Sequence, residues 1–235
     1  KLNIPIGVMP DTDGKGALIY DIPNIRRFRD TDGDGKADKN EVYYSSFGFK
    51  DTHGMTGEFV RGFDGWIYAC HGFANTSNVK SKDGSTSISM TSGNTYRIKP
   101  DGSRIEKYTT GQVNPFGIAI DPYGNLFTAD CHSRPLTMLL RGGWYESFAR
   151  PHDGLGFAPH LNTFNGHSTA LCGITYYAAN QFPKQYEGKL FLGDVVLNRV
   201  NAYRLETKAN GPTAIMEDFI KSQDPWFRPV DIKLG

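Results

Sequence analysis

Apolar and polar residues alternate at short range along this chain and almost never recur at helical spacing. No segment longer than about ten residues carries an apolar stripe at i, i+3 and i+4. Stretches such as "DPWFRPV" and "PHDGLGFAPHLNTFNGH" read as loop. What recurs is a strand phrase. "DGWIYACH" begins at Asp64, "YGNLFTAD" at Tyr123 and "EGKLFLGD" at Glu187. Each runs turn glycine, spacer, aliphatic, aromatic, two further residues and a polar side chain. The glycines are Gly65, Gly124 and Gly188, in steps of 59 and 64 residues. A second phrase, strand, glycine turn, strand, occurs as "TYRIKPDGSRIEKY" and "AYRLETKANGPTAIMEDF". "IRRFRDTDGDGKADKNEVYYSSF" and "LTMLLRGGWYESF" have the same form.

Short strands bounded by turn residues predict an all-β chain. Four-stranded units repeating at roughly 40 to 60 residues predict a β-propeller, with blades at approximately 1–50, 51–112, 113–165 and 166–222. Residues 223–235 read as the start of a further blade. A few blades with open ends leave unpaired edge strands, and the first residue is Lys1, not Met. We therefore expect a segment of a larger propeller, completed by other blades or domains, rather than a closed four-bladed ring.

One turn carries unusual charge. In "DTDGDGKADKNE", Asp30, Asp32, Asp34, Lys36, Asp38 and Glu41 stand at positions 1, 3, 5, 7, 9 and 12, the ligand spacing of an EF-hand-type calcium loop. Gly35 at position 6 permits the sharp turn, Lys36 offers its backbone carbonyl, and Glu41 would close the shell with two oxygens. The flanking residues are β-branched and aromatic, so strands replace the helices of a true EF-hand. A structural calcium ion stapling two strands is expected. A weak site fills at millimolar calcium, which places the protein outside the cytoplasm, in the periplasm or the extracellular space.

Composition narrows the partners. Lys+Arg number 26 and Asp+Glu 25 among 235 residues, which offers no basic face to nucleic acid. No apolar run approaches the ~18 residues that span a membrane. Three cysteines, Cys70, Cys131 and Cys172, make neither a disulfide framework nor a CxxC metal knuckle. Phosphate-loop, dinucleotide and GxSxG signatures are absent.

The order of "DTDGDGKAD", "THGMTGEFVRGFDGWIYACHG", "NPFGIAIDPYGNLFTAD", "HSTALCGITYYAANQFPKQYEGKLFLGD" and "FRPVDIKLG" resembles the glucose/sorbosone dehydrogenase family of soluble quinoprotein propellers. It is most similar to the branch known as membrane-bound dehydrogenases of planctomycetes and verrucomicrobia. The resemblance implies oxidation of a sugar or alcohol with pyrroloquinoline quinone. It implies His53 as the general base, and Asn114 and Arg228 as residues that hold the quinone. The sequence departs from the family at Val113 and Val230, where arginines are usual, and the lysine expected after "LFLGD" is missing. Arg134, Arg141 and Arg199 are the candidate substitutes.

His71, His132, His152, His160 and His167 complete the histidines. Grouped at strand ends, imidazoles bind transition metals or serve acid–base chemistry. The residue six after each phrase glycine is His71, Asp130 or Asp194, where a carboxylate is expected to cap a loop. Three functions follow: an extracytoplasmic sugar or alcohol dehydrogenase-like propeller, a non-catalytic calcium-stabilised binding module of a multidomain protein, or a His-liganded metalloenzyme.

Overall fold

A computed structural model describes the chain except for residues 133, 149–156, 162–167, 169, 210 and 235. Among the described residues there is no α-helix, and strands dominate, with one 3₁₀ turn at Lys184–Tyr186. The fold is an all-β propeller. It divides into two compact units, Lys1–Tyr108 and Thr109–Gly235.

In the first unit, β1 (Val8–Pro10), β2 (Gly16–Asp21), β3 (Asn24–Arg29) and β4 (Lys39–Ser45) form an antiparallel meander. The acidic loop joins β3 to β4, so the flanking residues are strands as read. A second sheet has the order β10-β9-β6-β5, from β5 (Gly57–Arg61), β6 (Ile67–His71), β9 (Asn94–Ile98) and β10 (Ile105–Thr110). Between β6 and β9 the chain leaves that sheet. The hairpin of β7 (Thr76–Ser81) and β8 (Ser87–Thr91) extends the first sheet beside β4 instead. One core serves both sheets, built on Tyr20, Tyr44, Tyr96, Ile25, Ile67 and Ile98, each no more than 1% exposed. Fully burying such a side chain is worth roughly 1.5–3 kcal/mol. The Tyr44 hydroxyl also finds acceptors there, 2.7 Å from the Lys99 carbonyl and 3.0 Å from that of Arg104.

In the second unit, β11 (Asn114–Ile120), β12 (Leu126–Cys131) and β13 (Leu136–Leu139) form one sheet. β14 (Leu171–Tyr176), β15 (Leu190–Asp194), β16 (Arg199–Lys208) and β17 (Gly211–Lys221) form another. The expected hairpin in "LTMLLRGGWYESF" does not close. After β13 the chain turns so that Trp144 bridges Thr110 in parallel. The buried ring of Tyr145 is responsible. Its hydroxyl donates to the Met138 carbonyl at 2.6 Å and accepts the Leu140 N–H at 2.8 Å, folding the turn back over β13 where a return strand would lie.

The recurring phrase is the second strand of three sheets: β6, β12 and β15. Its glycines take the left-handed conformation at the turn, with φ of 76° at Gly65, 86° at Gly124 and 75° at Gly188. The first strand of each of these sheets carries a bulge at a matching place: between Gly57 and Val60, Pro115 and Ile118, and Cys172 and Ile174. The bulged residue has positive φ each time: Glu58 (59°), Gly117 (102°) and Gly173 (59°). A bulge bends its strand and re-aims the residues beyond it. At Gly117 it also permits close approach, since a Cβ there would lie 3.0 Å from the Ile174 backbone nitrogen.

Candidate functional site

His53 sits in the loop that precedes β5, and a buried side chain from elsewhere clamps that loop. Asn75, 0% exposed, accepts the Asp51 N–H through Oδ1 at 3.0 Å and donates from Nδ2 to the Asp51 carbonyl at 2.8 Å. Gly54 locks the other side: its carbonyl accepts the Gly72 N–H at 3.0 Å, and a Cβ on it would lie 2.2 Å from the Phe73 carbonyl oxygen. Asp51 Oδ1 then receives two donors from His53, the backbone N–H at 2.8 Å and Nδ1–H at 3.0 Å. The backbone N–H, then the imidazole, hold the Asp51 carboxyl below the usual range. With Nδ1 donating, Nε2 is the basic nitrogen. The His53 side chain is 89% exposed. A base oriented by a carboxylate and open to solvent can take a proton from a hydroxyl.

Asn114 and Arg228 lie in the second unit. Asn114 opens β11, where Asp130 accepts its N–H at 2.7 Å and that of Val113 at 3.0 Å. Asn114 is paired with Cys131 across the strands. The Cys131 thiol donates to the Leu171 carbonyl at 3.5 Å, and Leu171 pairs with Asp194. Arg228 donates to the carbonyl of Val195 at 2.8 Å. This chain of contacts sets Asn114 and Arg228 at one end of the second unit's sheets. Burial first, and then the neighbouring Asp130 charge, push the Cys131 thiol up to about 11.

Asp194 caps that end as well. It accepts the Ser168 hydroxyl and N–H, the Leu197 N–H at 3.3 Å, and Arg199 Nη2 at 3.2 Å. Arg199 also reaches Asp218 at 3.8 Å. Arg134 lies 3.4 Å from Glu146. Val113 is fully buried and Val230 is 58% exposed.

In the acidic loop, carboxylate oxygens of Asp30, Asp32 and Asp38 lie within 4.8 Å of one another. Backbone amides shape it. Asp30 accepts the Gly33 N–H at 2.6 Å and the Gly35 N–H at 2.9 Å, which lowers its pKa. Asp34 Oδ1 accepts the Lys36 N–H at 2.8 Å, and Asp38 accepts the Thr31 hydroxyl at 2.7 Å. Glu41 is placed differently. It lies inside β4, and its carboxylate meets Lys82 at 2.8 Å and Lys39 at 3.4 Å.

Among the other histidines, His71 is buried at 1% exposure. Its Nδ1 donates to the Ser92 carbonyl at 2.8 Å, and Nε2 accepts from Ser77 Oγ at 2.7 Å. His160 Nε2 is 3.6 Å from Glu146, and burial lowers its pKa. His132 takes a positive φ of 82°. His152 and His167 lie outside the described residues. Cys70 and Cys172 are buried and Cys131 is half-buried. Among the described residues, Asp30, Asp32 and Asp38 are the one grouping of three or more potential metal ligands. Sequence reasoning missed Asp51 and Asn75; an aspartate two residues before the histidine was the available signal.

These features define a bulged β-propeller with an oriented, exposed histidine at one strand entrance. The chain matches the family described as a domain of unknown function, DUF7133, over residues 1–235, and belongs to it. No curated protein matches it. Among solved structures, a glucose dehydrogenase aligns over 100% of this chain and 91% of its own, at 15% identity and a TM-score of 0.53. A luciferin-regenerating enzyme aligns over 99% and 67%, at 12% identity and a TM-score of 0.61. Virginiamycin B lyase from Staphylococcus aureus aligns over 97% and 73%, at 15% identity and a TM-score of 0.50. At these identities the likeness is one of fold. No helix is long and apolar enough to cross a membrane among the described residues.

Proposed function

We propose that this chain is a dehydrogenase-like propeller of the sugar-dehydrogenase superfamily, in the planctomycete and verrucomicrobial branch, acting outside the cytoplasm on a sugar or alcohol. The single observation that carries the reading is the Asn75–Asp51–His53 clamp. It fixes the imidazole tautomer and leaves the ring exposed to a substrate hydroxyl. His53 Nε2 is the base that would take the hydroxyl proton. Asn114 and Arg228, in the second unit, are the residues that the resemblance implies for holding an acceptor.

Pyrroloquinoline quinone is the acceptor that the family resemblance implies. An anionic quinone needs clustered cations, and the described residues do not fit that need. Val113 and Val230 are apolar, Arg199 is committed to Asp194 and Asp218, and Arg228 is spent on a backbone carbonyl. We therefore derive no step through the quinone. The same deficit favours the second reading, a non-catalytic calcium-stabilised binding module.

The Asp30–Glu41 loop is proposed to hold a structural calcium ion through Asp30, Asp32, Asp34, Asp38 and the Lys36 carbonyl. Glu41 joins only by leaving Lys82. A weak site of this kind suits millimolar calcium, in the periplasm or outside the cell. The remaining blades or domains of a larger propeller are part of the proposal.

The test is dye-linked oxidation of a panel of aldoses and alcohols, with calcium and with or without added quinone. His53→Ala should lower turnover by about 10²- to 10⁴-fold, the usual worth of a general base, without changing the melting temperature. Full turnover in that variant would remove the catalytic reading. No turnover by the unmodified protein on any substrate would leave the binding module.

A further inference from the structure

The second unit carries a cleft that the proposed chemistry does not use. It lies where β11 turns into β12 and β14 into β15, at the other end of β11 from Asn114. Seven residues of strand separate the two ends, about 20 Å at ~3.3 Å per residue. The cleft has a volume of 440 Å³ and is lined by Pro122, Tyr176, Ala179, Asn180, Glu187 and Gly188, among others. That is within the ~300–1,000 Å³ of small-molecule sites.

Its walls are held in place. On one rim Asp121, 5% exposed, accepts the N–H groups of Tyr123 and Asn125, both at 2.9 Å, and the Asn125 amide at 2.8 Å. Pro122 in this tight turn lines the cleft, and the Tyr123 ring beside it is 88% exposed. On the other rim the Phe182 N–H donates to the Tyr177 hydroxyl at 2.6 Å, and the two rings stack at 5.0 Å. Gly188 keeps the floor open, since a Cβ there would lie 3.3 Å from the Tyr176 hydroxyl. Burial first, then the nearby Asp121 and Tyr123, raise the pKa of that hydroxyl, so it stays a neutral donor.

The lining names a ligand class. It offers tyrosine surface, a carboxamide and one carboxylate, and it contains no lysine or arginine. Phosphates and acidic ligands find no counter-charge. A ring with an apolar C–H face and a belt of hydroxyls finds an aromatic surface together with donors and acceptors. We propose that this cleft binds a neutral saccharide, as an anchoring site separate from the His53 chemistry.

The test begins with the whole chain on an array of neutral and acidic glycans. Titration calorimetry follows with the best neutral hit, and with glycerol as the acyclic control. A neutral saccharide should bind and glycerol should not. Tyr123→Ala and Glu187→Gln should each weaken binding at least tenfold, and His53→Ala should leave it unchanged. Tyr123 is exposed, so its replacement leaves the core intact, and a melting curve checks this. Absence of neutral glycan binding, acidic glycans alone, or binding unmoved by both variants would overturn the proposal. Binding lost in His53→Ala but kept in Tyr123→Ala would place the sugar at the other site, overturning this inference while strengthening the functional one.

Discussion

Asp130 gives the most direct test of how the second unit is held. Its carboxylate is 0% exposed and accepts the N–H groups of Val113 and Asn114, at 3.0 and 2.7 Å, where both residues are buried. Asp130→Ala removes both acceptors and admits no bulk water. Each orphaned donor costs about 1–3 kcal/mol, so with two donors the variant should lose about 2–6 kcal/mol. For a chain of this size 1 kcal/mol corresponds to roughly 2–4 °C, so the melting temperature should fall by at least about 4 °C. Asp130→Asn keeps one carbonyl oxygen and should lose about half as much. Thermal melts followed by circular dichroism, with urea titrations at 25 °C, measure both. An Asp130→Ala protein melting within about 2 °C of the parent would refute the reasoning, because backbone donors left bare in a dry site cannot be that cheap.

Chelator should lower the melting temperature of calcium-loaded protein; Asp30→Ala should abolish that response and Glu41→Gln should keep it, as calorimetry with and without EDTA would show. Burial pushes Tyr20 up to about 12 and Cys131 up to about 11. The folded state therefore holds these protons longer than the unfolded one. Their stabilisation is complete below about pH 9 and is lost as pH rises toward 11–12; urea midpoints that rise across that range would contradict it. Alkylation of folded Cys131 at pH 8 should be slow beside that of an unfolded control, read by mass spectrometry. Gly54→Ala drives a Cβ into the Phe73 backbone and should lower both stability and any turnover that depends on His53.

The legible parts of the fold were those written in local pattern. β6 and β15 are buried along their whole length, so they read as aliphatic–aromatic runs behind a turn glycine. The polar hairpin β7–β8 gave no sign of its sheet, because register between distant strands is set by tertiary packing. The bulges were invisible for a related reason: Glu58 sits at positive φ, where sequence reasoning expects glycine. In the candidate site, the resemblance implied His53, but the contacts that clamp it were not legible. Nothing in the local pattern marks Asn75, whose side chain is buried against Asp51. Glu41 fits the twelfth position of a calcium loop by spacing, and β4 carries it to Lys82 because strand geometry begins at Lys39.

The repeat itself separates scaffold from chemistry. His71, Asp130 and Asp194 each stand six residues after a phrase glycine, and they are 1%, 0% and 0% exposed. Each spends its polar atoms on nearby loops: His71 on Ser92 and Ser77, Asp130 on Val113 and Asn114, Asp194 on Ser168, Leu197 and Arg199. A group so committed is poorly placed to exchange a proton with a ligand. The same commitment takes up Arg199, one of the candidate substitutes for the arginines that the resemblance expects at Val113 and Val230. The proposed base is a residue of the opposite kind: His53, held by Asp51 and exposed at 89%. The two roles predict different failures. Variants at Asp130 or Asp194 should lose stability and activity together, whereas His53→Ala should lose activity alone. A His53 variant that unfolds, or an Asp194→Asn protein that melts like the parent and has lost all turnover, would mean that the assignment of pin and base had been reversed.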